Sequence, residues 1–192
     1  MAIFHSDQAP APAAPGDGAG SPDRRPGTAA FRPGSGEEQY DIRIARDGTW
    51  FHEGAPIRRP ALVKLLASAL RRDEAGDYWL ITPAERGRIV VEDAPFTAVS
   101  VTCLGEGESQ VLRFATNLDH VVEAGPDHPI RVDFAPGTGE PRPYVRVTAG
   151  SNGLDALVLR PVYYELAERA VERNGRLGVW SKGIFFPLDE RR

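Results

Sequence analysis

The chain has 192 residues, one cysteine and a formal net charge of −4. One cysteine excludes an intramolecular disulfide and a zinc site built on several cysteines. The slight acidic excess argues against a general nucleic-acid binder, which needs a basic surface, but it leaves a local basic patch open.

The first 38 residues are rich in Pro, Ala and Gly and have almost no branched apolar side chains. Such a segment cannot bury enough apolar surface to offset its ordering entropy, so we predict a disordered arm over residues 1–38. It lacks the cationic start and apolar run of a secretory signal, and nothing in the chain has the apolar length of a membrane span. We therefore expect a cytoplasmic protein with no membrane partner.

The folded part begins with a predicted hairpin and a predicted helix. In DIRIARDGTWFHEG, Ile42 and Ile44 alternate with polar residues before an Asp-Gly turn, which predicts a β-hairpin. RPALVKLLASALRRDEAG predicts a helix that begins at Pro60. Its apolar stripe is Leu62, Leu65, Leu66, Ala69 and Leu70, with Arg71 and Arg72 near the helix C-terminus.

Later segments alternate between strands and turns, with a second helix near the end. DYWLI predicts a strand, and TPAE has the pattern of a capping box, which predicts a short helical turn. RIVVED, FTAVSVTCL, QVLRFAT and IRVDF predict further strands, and Cys103 in the second of these is expected to be a small buried apolar residue. PYVRVTAGSNGLDALVL predicts another hairpin, RPVYYELAERAVERNG a second helix, and LGVWSKGIFFPL one or two closing strands.

The two predicted helix units match at one ungapped offset of about 101 residues. Both helices open with Arg-Pro, at Arg59 and Arg160, and both precede a Trp-containing strand, at Trp79 and Trp180. Either the chain contains a duplicated unit, or two amphipathic helices resemble each other by chance; the matched tryptophan outside the helix favours duplication. We predict an α+β fold of two tandem similar halves, residues 39–95 and 96–192, each a mostly antiparallel sheet with one amphipathic helix.

Five motifs in order carry a resemblance to a known family: DGTWFHEGAPI, YWLITPAE, VEDAPF, FATN and VWSKGIFFPL. Over about residues 40–189 the chain resembles bacterial domain-of-unknown-function family 1285. That resemblance implies duplicated α/β halves, the second superficially like a pleckstrin-homology fold. It also implies a ligand site between the halves, a nucleotide-like or nucleic-acid ligand, and a signalling role; it implies no reaction.

The candidate site residues are polar or aromatic side chains beside the predicted cleft. Arg59 and Arg160 precede helices whose free N–H groups favour anions, although each could instead pair with an acid such as Glu85, Glu92 or Asp93. Aromatic rings could stack on a base, or simply belong to the core. The predicted ligand-binding set is Trp50, His52, Arg58, Arg59, Tyr78, Thr82, Asp93, Thr116, Asn117, Arg160, Tyr164, Trp180 and Ser181.

Catalytic and metal-binding patterns are weak. His120 and His128 do not have a usual zinc spacing, and the chain has neither a Walker loop nor a dinucleotide fingerprint. We predict no metal and no cofactor. The leading hypothesis is a ligand-binding or signalling module for an anionic ligand. The alternatives are a protein-interaction adaptor, and a hydrolase using His52 with Glu53 or Asp93. The sequence does not give the oligomeric state.

Overall fold

The computed structural model describes residues 38–190. All but the last residue of the predicted arm at residues 1–38 therefore lies outside the described residues. The described part is mostly β-structure, with two α-helices and three sheets. No helix in this part is long and apolar enough to cross a membrane.

The first sheet has six strands in the order β3-β2-β1-β6-β5-β4, and helix α1 lies between β3 and β4 along the chain. Only the central pair, β1 with β6, is parallel. The predicted hairpin is confirmed, with Ile44 opposite Trp50 across β1 and β2. The elements are β1 (Glu38–Ile44), β2 (Trp50–His52), β3 (Ala55–Pro56), α1 (Pro60–Ser68), β4 (Leu70–Arg72), β5 (Tyr78–Ile81) and β6 (Arg86–Val91).

The second sheet also has six strands, in the order β10-β11-β12-β7-β8-β9, with β12 and β7 parallel. A third, three-stranded antiparallel sheet follows the second helix and confirms the predicted closing strands. The elements are β7 (Phe96–Leu104), β8 (Val111–Thr116), β9 (Val121–Glu123), β10 (Ile130–Phe134), β11 (Pro141–Arg146), β12 (Asp155–Val158), α2 (Arg160–Ala167), β13 (Val171–Arg173), β14 (Arg176–Ser181) and β15 (Ile184–Pro187). A short 3₁₀ turn spans Gly107–Ser109.

Helix α1 is shorter than predicted and turns a different face to the core. It ends at Ser68, and Arg71 and Arg72 lie in β4 rather than in the last helical turn. Val63 and Ala67 are buried, whereas Leu65 is 66% exposed. The predicted apolar stripe is therefore wrong at Leu62 and Leu65. The helix instead buries Val63 and Ala67, each one residue after a leucine of the predicted stripe.

The duplication appears in the order of elements but not in how the helices pack. Strands β4 and β13 begin and end 101 residues apart, and Trp79 and Trp180 are both buried under an arginine side chain. However, Leu166, which the sequence aligns with the exposed Leu65, is fully buried. Helix α2 buries Val162 and Leu166 where α1 buries Val63 and Ala67, so the aligned helical faces differ by two residues, about half a turn.

Two strand glycines are explained by aromatic rings that cover them. A Cβ on Gly87 would lie 2.2 Å from the Tyr40 ring, and one on Gly178 would lie 2.6 Å from the Phe185 ring and 2.4 Å from the backbone oxygen of Phe186. Each ring packs where a side chain would otherwise stand, which compensates for the weak packing of glycine in a strand.

The predicted TPAE turn forms its hydrogen bond without forming a helix. The backbone N–H of Glu85 donates to Thr82 Oγ1 at 3.1 Å, as in a capping box, but residues 82–85 form a bend between β5 and β6. Glu85 is 8% exposed, and its carboxylate accepts a hydrogen bond from the Tyr40 hydroxyl at 3.0 Å. The predicted helical turn is wrong, because β6 begins at Arg86, directly after this bend.

Candidate functional site

A cavity of about 700 Å³ lies where the first sheet meets the second. Arg46, after β1, and Asp93, after β6, reach it from the first half, and the end of β12 and the start of α2 supply the opposite side. We call it the interdomain cavity. Its polar lining consists of Arg46, Asp93, Glu140, Arg142, Arg160 and Tyr164.

Asp93 fixes the wall of the interdomain cavity. Its side chain is only 5% exposed and accepts hydrogen bonds from Arg142 Nη2 at 2.8 Å and from the Tyr144 hydroxyl at 2.7 Å. Burial, followed by the hydrogen bond to Asp93, raises the pKa of Tyr144 to about 12. A buried carboxylate with these partners is a rigid part of the structure, so Arg142 is held in place.

Arg46 and Arg160, the other two arginines of the interdomain cavity, are exposed and less tightly held than Arg142. Arg46 is 67% exposed, and its Nε lies 3.6 Å from Asp93. Arg160 is 68% exposed and forms an ion pair with Glu140, which is itself 55% exposed. Exposed ion pairs contribute little free energy, so both guanidinium groups can turn towards a ligand at small cost.

The two tyrosines of α2 have different roles at the cavity. Tyr163 is half-buried and its hydroxyl donates to the Leu188 carbonyl at 3.0 Å, which anchors the helix to the residue that follows β15. Tyr164 is 57% exposed. A half-exposed ring beside arginines is the element that base stacking requires.

Three members of the predicted set line the interdomain cavity: Asp93, Arg160 and Tyr164. Arg46, Glu140 and Arg142 were missed, because each lies in an ordinary turn or strand segment with no local signal of a site. They belong to the cavity only because β12 pairs with β7 and brings the start of α2 towards the end of β6. No sequence motif shows that pairing.

Three predicted residues are buried and form part of the core. Trp50 is 1% exposed, Trp180 is 8% exposed and Ser181 is fully buried, so the structure places them in the core and not in the lining of the interdomain cavity. The Ser181 hydroxyl donates to the Ala124 carbonyl at 2.7 Å and accepts from the Leu112 N–H at 3.0 Å. The alternation of the sequence showed which residues share a face but not which face is the core.

The remaining predicted residues near α1 are on the surface but do not line the interdomain cavity. Arg58 and Arg59 are exposed beside the start of α1, and His52 is exposed at the end of β2. Tyr78 is half-buried, with the Arg72 guanidinium 5.7 Å from its ring centre. The predicted cleft shared by Arg59, Arg160 and Trp50 is therefore not formed.

Thr82, Thr116 and Asn117 form turns. Thr116 Oγ1 accepts from the His120 N–H at 3.1 Å, and Asn117 Oδ1 accepts from the Thr97 N–H at 3.1 Å. The Asn117 amide also packs under the β1–β2 turn, where a Cβ on Gly48 would lie 2.6 Å from its Nδ2. Asn117 therefore joins the two halves structurally.

The three histidines and the cysteine of the described part form no cluster. His128 Nδ1 contacts the Arg146 carbonyl at 3.0 Å, and the His120 ring lies edge-on to Phe96 with 4.9 Å between ring centres. Within residues 38–190 no group of three or more His, Cys, Asp or Glu side chains could hold a metal ion. Cys103 is partly buried, with its Sγ 3.3 Å from Gln110 Oε1.

Two family models match adjacent parts of the chain. Residues 30–94 match the N-terminal domain of unknown function DUF1285, and residues 95–188 match the C-terminal domain of the DUF1285 proteins of unknown function. No curated protein matches the chain.

Two crystal structures are similar to this chain. A DUF1285 family protein from Silicibacter pomeroyi DSS-3 is 48% identical over 79% of this chain and 80% of its own, with a TM-score of 0.74. A DUF1285 family protein from Shewanella baltica OS155 is 24% identical over 67% of this chain and 91% of its own, with a TM-score of 0.51, and shows the fold alone. The resemblance read from the sequence motifs is confirmed, and the chain belongs to the DUF1285 family.

Proposed function

We propose that this protein is a ligand-binding module that holds an anionic, nucleotide-like ligand in the interdomain cavity. The observation that carries the proposal is the meeting of Arg46, Arg142 and Arg160 beside the exposed ring of Tyr164. A signalling role and the pleckstrin-homology-like second half belong to this proposal as predictions.

The charge of the cavity favours an anion. Its lining holds three arginines against the carboxylates of Asp93 and Glu140. The Asp93 carboxylate accepts hydrogen bonds from Arg142 and Tyr144. Arg46 and Arg160 are exposed to solvent, and their planar guanidinium groups match the geometry of phosphate oxygens. A phosphate group would therefore bind between Arg46 and Arg160 and displace Glu140 from its ion pair.

The size and the aromatic ring favour a nucleotide over inorganic phosphate. Small-molecule sites commonly enclose about 300–1,000 Å³, and a cavity of about 700 Å³ lies within that range. Tyr164 lies four residues after Arg160, so both side chains stand on the same side of α2. The ring would stack on the base while the arginine binds the phosphate.

The hydrolase hypothesis has less support. Within residues 38–190, His52 forms no hydrogen bond or ion pair with an acid, and Asp93 is held by Arg142 and Tyr144. A general base must lie within hydrogen-bond reach of its partners, directly or through one water. The adaptor alternative makes a different prediction, since it needs no small ligand.

A thermal-shift screen against nucleoside mono-, di- and triphosphates and short RNA tests the proposal. A nucleotide at about 100 times its Kd stabilises the folded state by about 2.7 kcal/mol, which raises the Tm of a domain of this size by about 5–10 °C. Arg160→Gln and Tyr164→Ala should abolish most of that shift. Arg58→Gln changes an arginine remote from the interdomain cavity and is the matched control.

The screen can also overturn the proposal. If no nucleotide or RNA stabilises the protein, or if the shift is the same in Arg160→Gln, the interdomain cavity is not the binding site. A pull-down that recovers the same protein partner from the wild type and from Arg160→Gln, with no nucleotide effect, would favour the adaptor alternative.

A further inference from the structure

We infer that the protein has a second ligand site, on a different cavity, that takes a small organic oxyanion: a carboxylate or phosphate group on a compact apolar body. This cavity measures about 620 Å³ and shares no lining residue with the interdomain cavity. We call it the Phe96 cavity. The end of α1, strand β4 and the loop of residues 148–152 form its walls, and Phe96 and His120 lie at its base.

The charge of the Phe96 cavity is positive without a competing acid. Arg71 and Arg72 line it, and none of the described residues that line it is acidic. The interdomain cavity, by contrast, contains two carboxylates. An oxyanion that enters the Phe96 cavity therefore meets a lining with two positively charged residues and does not have to displace a lining carboxylate from either.

Arg71 is already oriented and keeps donors for a ligand. Its Nη1 donates to the carbonyls of Ser68 at 2.8 Å and Leu70 at 2.7 Å, which fixes the side chain over the end of α1. A guanidinium has five N–H donors, and both of these bonds use the same nitrogen. The other nitrogens are the ones that a carboxylate or phosphate would engage.

The Arg72 side chain is held by contacts with residues of the first half, Gly76 and Tyr78. Its Nε lies 3.5 Å from the Gly76 carbonyl, and its guanidinium is over the Tyr78 ring. Stacking on an aromatic ring leaves the edge of a guanidinium available for in-plane hydrogen bonds. The two arginines are thus pre-oriented, which lowers the entropy that binding must remove.

The loop of residues 148–152 supplies polar groups on a fixed backbone. Thr148 Oγ1 accepts a hydrogen bond from the Leu154 N–H at 2.6 Å, and Arg146 Nη1 donates to the Gly150 carbonyl. Gly150 has a φ of +98°, a left-handed conformation that favours glycine. Ser151 and Asn152 remain exposed at the rim, where a hydroxyl and an amide can donate to an oxyanion.

The apolar side chains at the base of the Phe96 cavity favour a ligand whose uncharged part is apolar. Phe96 and Leu154 are buried, and the exposed His120 stands edge-on to Phe96. Free phosphate would reach the arginines but would leave the apolar side chains at this base uncovered, so it should bind more weakly than an anion with an apolar body. A compact apolar body would instead cover the His120 ring and the buried side chains below it.

Amide chemical shifts of the full chain in two-dimensional ¹H–¹⁵N NMR spectra test this site. The probes are phenyl phosphate and benzoate, with benzyl alcohol as the uncharged control of the same shape. We expect both anions to give saturable shifts at residues 148–152 and at Arg71. Arg71→Gln should weaken binding about tenfold, which corresponds to about 1.4 kcal/mol, and Arg58→Gln should leave it unchanged.

Arg71 also caps α1, so a second variant separates binding from folding. Ser151→Trp places a large ring at the cavity mouth while leaving both arginines intact, and it should block the shifts in a protein whose remaining spectrum is native. Shifts absent at residues 148–152, equal shifts with benzyl alcohol, or unchanged affinity in a folded Arg71→Gln would overturn the inference. Shifts confined to the interdomain cavity would overturn it while supporting the proposed function.

Discussion

Replacing Ser181 by alanine should destabilise the protein strongly without affecting ligand binding. The Ser181 hydroxyl connects β14 to two backbone groups of the second sheet region, the Leu112 N–H and the Ala124 carbonyl. All three residues are fully buried. Alanine removes the hydroxyl and leaves one buried donor and one buried acceptor without their partner.

The magnitude follows from the two groups left unsatisfied. Each costs about 1–3 kcal/mol, and partial relaxation brings the expected loss to about 2–4 kcal/mol. For a folded part of this size that lowers Tm by about 5–15 °C. Urea denaturation followed by tryptophan fluorescence measures the change, and Ser109→Ala, which removes an exposed hydroxyl, should change stability by less than about 0.5 kcal/mol.

A loss below about 0.5 kcal/mol in Ser181→Ala would refute the structural role of this hydroxyl. So would a variant of normal stability that has lost nucleotide binding, because Ser181 would then act in a site, as its sequence context first indicated. The expected variant binds the same nucleotides as the wild type when measured well below its own Tm.

Three further predictions concern the rim of the interdomain cavity, the pH dependence and the covered glycine. Glu140→Gln removes the carboxylate that competes with a phosphate for Arg160. Because an exposed ion pair contributes under about 1 kcal/mol, we expect nucleotide binding measured by calorimetry to tighten about two- to fivefold. Equal or weaker binding would contradict this. The pKa of Tyr144 is raised to about 12 in the folded state against an ordinary 10, so its stabilisation is present below pH 10 and lost as pH rises to 12. Urea denaturation should therefore show a steeper loss of stability across that window in the wild type than in Tyr144→Phe, and parallel curves would oppose the assignment. Gly87→Ala places a Cβ 2.2 Å from the Tyr40 ring and should cost about 1–3 kcal/mol; an unchanged urea midpoint would show that the ring moves freely.

The sequence predicted the features that depend on local chemistry. The Asp47-Gly48 pair placed the first hairpin, and Gly48 does adopt a positive φ of 85° at its turn. The Arg-Pro pairs placed both helix starts to within one residue. These signals involve neighbouring residues, whose backbone preferences are readable from their identity.

The faces of the helices and most of the site depend on long-range packing and were not predicted. Leu65 and Leu166 match in sequence, yet Leu65 is exposed and Leu166 is buried, because the buried faces of the two helices are offset by two residues. The interdomain cavity depends on the parallel pairing of β12 with β7. No local pattern reveals that pairing, so Arg46 and Arg142 carried no signal.

Isothermal titration of the nucleotide that gives the largest thermal shift tests the central claim most directly. The titration compares the wild type with Arg160→Gln and with the control Arg58→Gln. If the interdomain cavity binds the phosphate through Arg160, Arg160→Gln raises Kd about tenfold or more while Arg58→Gln stays within about twofold of the wild type. Equal Kd values for all three proteins, or no heat of binding in the wild type, would contradict the claim.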